Sequence, residues 1–300
     1  MAKSAPSLKR EVGLFLAVAF LLSSVLYGLL YLRPDARQQW GAYSLAFMWC
    51  PGVAAMAAQL LTRRSLRGLG WGWGSLRYYL LAYALPIAFC LGAYLPVWLG
   101  CNAFRPQAIQ ESVVKLGLPA GAAGYIGLAL LVLAQPLLGM IGSLGEELGW
   151  RGFLLPRLHS LMGFTNASLA TGLIWSIWHF PVVIAVFPLY RPGVPVWYAL
   201  TCFTITVVAI SFVHSWLRLR SGSVWPSTLL HAASNAFVAS FQALTRENPT
   251  TSYLTFEYGL CLAVVMLPVA YVFWWNWRKR PTVYTVMTPL VEAGIEKALK

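Results

Sequence analysis

The sequence predicts an all-α, polytopic membrane protein with about eight transmembrane helices and both termini in the cytoplasm. Three observations predict it. Of the 300 residues 59% are hydrophobic and only 10% charged, and the apolar residues gather in runs near the roughly 20 residues that cross a bilayer. The loops alternate in charge: of the 22 Lys and Arg, sixteen fall in residues 3–10, 63–77, 151–157, 218–220 and 278–300, and six on the other side. The positive-inside rule places the richer side in the cytoplasm, and termini on one side require an even number of spans. Finally, Trp and Tyr collect where the apolar runs end, such as Trp73, Trp216 and Trp225 on one side and Trp98 and Trp197 on the other. Rings with a polar edge settle at that depth.

Taken in order, the spans read as about 12–32, 40–61, 78–99, 122–146, 165–187, 197–217, 224–245 and 255–277. The first follows Lys3, Lys9 and Arg10, exceeds a signal-peptide core in length and has no small-residue cleavage site after it, so it is expected to be retained. Residues 107–117 carry Ile109, Val113 and Leu116 at helical spacing and predict a short helix on the outer surface. Residues 152–162, with Leu155, Leu158 and Leu161 around Arg157, predict an inner interfacial helix limited by Pro156. The tail 281–300 reads as a cytosolic amphipathic helix. The chain 1–300 is thus one transmembrane helical domain, with its motif-bearing core at about 120–245.

Composition excludes several functions. A net charge of +13 would suggest nucleic acid in a soluble protein, but here it marks topology, so the expected partners are membrane lipid and no nucleic acid. The five cysteines form no CxxC pair and mostly lie in apolar runs, so no disulfide framework and no cysteine metal site is expected.

The polar residues inside spans carry the functional signal, because charge at membrane depth is costly and usually lines a cavity. Glu146 and Glu147 end span four, His179 lies in span five, and His231 and Asn235 share a face of span seven, four residues apart. An acid, two imidazoles and an amide can activate water and stabilise an oxyanion. Glu147 and Arg151 have the spacing of a helical ion pair, and Gly145 and Gly149 permit close helix approach. His214 and His159 read as hydrogen bonders between helices, and Glu257 falls near the outer face, away from the histidines. An aspartyl protease pair, an HExxH motif, a GxSxG elbow and a P-loop are all absent from the sequence.

With those residues in place, the segment Glu146-Glu147-Leu148-Gly149-Trp150-Arg151 resembles the EExxxR motif of the CPBP family of CaaX proteases and bacteriocin-processing proteins. Trp175 to His179 resembles its FxxxH motif, and His231 to Asn235 its HxxxN motif. Trp175 replaces the usual phenylalanine, which reads as altered pocket packing. The resemblance implies an intramembrane endopeptidase cutting near the cytoplasmic face. Glu146 and His179 would activate the attacking water, and His231 and Asn235 would bind the oxyanion. Glu147 and Arg151 would hold the helix end, with Trp175 as structural support. The enzyme would be either glutamate-type or a zinc metalloendopeptidase. No cofactor is favoured, but Glu146, His179 and His231 would also make a three-ligand zinc set with an open position. The substrate would be a peptide or protein, prenylated or not, in a bacterial cytoplasmic membrane. The alternative is a non-catalytic membrane protein: an immunity protein, a scaffold or a proton-coupled carrier.

Overall fold

The computed structural model describes residues 5–280; the expected tail helix at 281–300 lies outside them. The chain is a polytopic bundle of helices. α1 (Ala5–Leu32), α3 (Trp40–Arg63), α4 (Leu76–Gly100), α6 (Ala122–Glu147), α7 (Leu155–Tyr190), α8 (Val196–Ser221), α9 (Trp225–Ala243) and α11 (Leu260–Lys279) are the long ones. Between them lie α2 (Pro34–Gln38), α5 (Gln107–Lys115), α10 (Pro249–Leu254) and a π-helical turn at Leu148–Leu154. Helix is the conformation that satisfies every backbone group within one segment in an apolar medium, so Pro51, Pro86 and Pro136 are carried inside helices. Among the described residues six helical stretches are long and apolar enough to cross a membrane, and one of them extends from Ala122 to Tyr190.

That stretch doubles back on itself. Trp175 hydrogen-bonds Glu146, although 29 helical residues would separate them by about 43 Å if the helix were straight. The reversal uses the π-helical turn and Gly163, whose φ of 74° and ψ of 179° interrupt α7; glycine adopts that geometry without Cβ strain. Residues 151–158 are buried here, not spread on a membrane surface as the pattern predicted. The reason is ionic. Arg157 donates to Glu11 of α1 at 2.8 Å and to Gln59 of α3 at 2.7 Å, and Arg63 reaches the same Glu11 at 3.3 Å. Three elements are thereby pinned across one end of the bundle.

The loop after α3 closes that end. Leu69 is fully buried and Gly70 accepts from the Val224 amide at 2.8 Å. The last long helix begins at Leu260 and not near 255, because Thr255 ends α10 and Phe256 has a positive φ of 71°. Glu257 therefore lies in a linker outside the spanning segments.

Candidate active site

Close helix approach puts the acids in the middle of the bundle. A Cβ on Gly145 would fall 2.6 Å from the Met48 carbonyl oxygen of α3, and one on Gly139 would fall 3.3 Å from the Cβ of Ala232 in α9. Glycine lets α6 wedge between α3 and α9, as the small-residue spacing predicted. Glu146 and Glu147 follow directly, where α6 passes into the π-helical turn. Such turns recur at functional sites.

Glu146, His179, His231 and Asn235 all line one cavity of about 390 Å³ whose other walls include Phe47, Phe89, Phe203, Val207, Leu262 and Met266. Two indoles hold Glu146: its Oε2 accepts from Trp175 Nε1 at 2.6 Å and from Trp150 Nε1 at 3.4 Å. Its Oε1 makes no hydrogen bond to the described residues and is left to the cavity. Trp175 is also the hub of the histidines, with ring centroids 5.3 Å from His231, 5.7 Å from His214 and 6.1 Å from His179. Trp175 thus does more than fill the pocket. It donates a hydrogen bond that a phenylalanine cannot make.

His179 Nδ1 lies 3.0 Å from the Trp175 carbonyl oxygen. A carbonyl only accepts, so Nδ1 carries the proton and Nε2 is the basic nitrogen. The ring is fixed between Trp178 at 4.7 Å and Phe203 at 5.3 Å.

Glu147 is more than one half of a helical ion pair. Its Oε1 accepts from Arg151 Nη1 at 2.9 Å and from His231 Nδ1 at 3.0 Å, and its Oε2 lies 3.4 Å from His214 Nδ1. A carboxylate on Nδ1 orients the imidazole and leaves Nε2 as its second working atom. Arg151 in turn donates to Ser211 at 3.1 Å and stacks over Trp175 at 4.3 Å. His214 is fully buried, lines the same cavity and makes no hydrogen bond with either ring nitrogen. The sequence read it as a hydrogen bonder between helices, and the tertiary fold brings it beside Glu147. Glu257 also lines the cavity, and burial pushes its carboxyl above the ordinary range. Neither residue falls in a motif; His214 shows in the sequence only as an imidazole at the end of an apolar run.

Among the described residues no three of His, Cys, Asp and Glu converge closely enough to hold a metal ion. As placed, Glu146, His179 and His231 do not fit the three-ligand set that the sequence left open.

Residues 128–237 match the family model described as Type II CAAX prenyl endopeptidase Rce1-like. That segment, a little over a third of the chain, is similar to the type II CAAX prenyl endopeptidases. CAAX prenyl protease 2 of Methanococcus maripaludis is 30% identical over 80 residues, which is 25% of this chain and 28% of that protein. The chain thus matches little more than a quarter of its relative's length. The cavity reaches beyond the matched segment, taking walls from α3, α4 and α11.

Proposed function

We propose that this protein is an intramembrane endopeptidase of the glutamate type. The observation that carries the reading is the single apolar cavity holding Glu146, His179, His231 and Asn235, with Glu146 clamped by an indole N–H so that one carboxylate oxygen faces inward. Water held between Glu146 and His179 attacks the peptide carbonyl carbon as its proton passes to that pair. The resulting oxyanion takes a hydrogen bond from the Asn235 amide and from His231 Nε2 once that ring carries its second proton, its Nδ1 remaining on Glu147. The carbon–nitrogen bond then breaks and the stored proton goes to the leaving amine. Glu147 and Arg151 act as positioning residues. The substrate is a peptide or protein segment within the membrane, and the family likeness supports a CaaX-type segment as the first one to try.

The test is peptide cleavage by purified Glu146→Gln protein beside wild type, with and without a strong chelator. Loss of at least about 100-fold in kcat at unchanged folded yield is expected, the scale of losing a general base, with wild-type activity indifferent to chelation. Cleavage that survives Glu146→Gln would sink the reading. Loss on chelation restored by zinc alone would reassign His179 and His231 as ligands.

A further inference from the structure

We infer that a second pocket, at the basic end of the bundle, binds the phosphate of an anionic phospholipid of the cytoplasmic leaflet. This site does not depend on the hydrolase reading.

The pocket has a volume of about 380 Å³ and shares no lining residue with the central cavity. α4 gives it Arg77, Tyr78 and Leu81, α8 gives Trp216 and Arg220, and α11 gives Asn276, with Arg280 just past its end. Three arginines from separate parts of the chain thus meet in one wall that holds no carboxylate. The acids of the described residues are engaged elsewhere. Glu11 pairs with Arg157 and Arg63, Asp35 with Arg33, Glu111 with Arg105, Glu147 with Arg151 and Glu247 with Arg191. Glu146 and Glu257 line the central cavity.

The bonds that gather the arginines use neutral acceptors only. Arg77 Nη2 donates to the Tyr78 hydroxyl at 2.9 Å, that hydroxyl donates to the Arg220 carbonyl at 3.2 Å, and Arg220 Nη2 donates to the Arg280 carbonyl. Arg220 also lies over the rings of Trp216 and Trp277, at 5.9 and 5.3 Å; such faces attract a cation without neutralising it. Its Nε is buried and makes no hydrogen bond. Like charges held this close repel one another unless an anion sits between them, and the guanidinium fork matches phosphate oxygens. Asn276 adds a neutral donor: its Oδ1 accepts from Trp216 Nε1 at 2.9 Å, which leaves the amide N–H groups to the pocket.

Two observations favour a lipid over free phosphate. An apolar track leads from the pocket toward the middle of the bundle. Leu80 lies one turn below Arg77 and is 63% exposed, Val272 lies one turn below Asn276 and is 60% exposed, and Leu81 forms the pocket wall beside them. Acyl chains have a place to lie when the head group sits on the arginines. In addition, the positive-inside rule puts this end in the cytoplasm, the side on which anionic lipids gather and basic pockets between helices take their head groups. The bound lipid would tie α4, α8 and α11 together where their own contacts leave only positive charge.

The experiment counts lipid bound to the full chain in detergent by native mass spectrometry, with phosphatidylglycerol or phosphatidylcholine added. The expected result is saturable binding of phosphatidylglycerol, with an apparent Kd about ten-fold lower than for phosphatidylcholine. Arg77→Gln with Arg220→Gln should raise that Kd about ten-fold, the scale of losing charge-assisted hydrogen bonds. Arg67→Gln, exposed at the same end but outside the pocket, should leave it within about two-fold. If the double variant does not fold, Arg77→Gln alone, exposed at the start of α4, carries the same direction of change. Equal binding of the two lipids, or equal loss with Arg67→Gln, overturns the inference. Displacement of phosphatidylglycerol by inorganic phosphate alone would make this a free-phosphate site and overturn the assignment to lipid. No cleavage is measured, so failure here leaves the hydrolase reading untouched.

Discussion

Trp175 gives Glu146 its shortest hydrogen bond, 2.6 Å from an indole N–H to a carboxylate oxygen. Trp175→Phe keeps the aromatic wall and removes only that donor. A hydrogen bond to a charged group is worth about 1.5–3 kcal/mol, so kcat should fall roughly ten-fold or more while KM stays near its wild-type value. Equal changes in KM alone would mean that the indole only packs. Arg151 is a different case. It and Glu147 are both fully buried, and removing one member of a buried pair leaves the other charge stranded at a cost of about 3–5 kcal/mol. Arg151→Ala should therefore lower folded yield in detergent before it lowers turnover; normal yield with selective loss of turnover would move Arg151 next to the reacting atoms. The motif residues were legible because an acid or an imidazole in an apolar run needs a reason. That Glu147 orients His231, and that His214 and Glu257 share the cavity, was not legible, since each depends on how separate helices pack.

Helix α6 shows how little of the chain does the positioning. Its outer half is largely exposed, while Gly139, Gly142 and Gly145 let its inner half sit against Met48 and Ala232. Gly145→Ala would put a methyl 2.6 Å from the Met48 carbonyl oxygen, and backbone on both sides has little room to yield. The thermal midpoint in detergent should drop by several degrees, consistent with overpacking of about 1–3 kcal/mol, and activity should fall with it as Glu146 moves off Trp175. Gly13→Ala meets nothing within 4 Å and should be silent; equal behaviour of the two variants would remove the close approach from the argument. The span pattern was readable from hydropathy for most helices. The sequence missed the burial of 151–158 because Leu155, Leu158 and Leu161 beside Arg157 look the same on a membrane surface as in a core. The partner that decides between them, Glu11, lies in another helix.

At the scale of the molecule, the two ends do different work. The cavity is lined from α6 to α9 with further walls from α3, α4 and α11, while the Glu11–Arg157 and Glu11–Arg63 pairs at one end of the bundle involve no cavity-lining residue. Glu11 is the test of that separation. It is 2% exposed, pairs with Arg157 at 2.8 Å and Arg63 at 3.3 Å, and so joins α1 to α3 and to the segment that follows the π-helical turn. Glu11→Gln keeps the shape and removes the charge, leaving two guanidinium groups facing a neutral amide in a poorly hydrated site. Breaking such a pair costs about 3 kcal/mol or more, which should appear as a clear loss of thermal midpoint in detergent. Yet neither Glu11 nor Arg157 lines the cavity, so kcat/KM per folded molecule should stay at the wild-type value. A variant that is stable but slow would show instead that strain at the basic end is transmitted to Glu146 through the π-helical turn, and the two ends would have to be treated as one device.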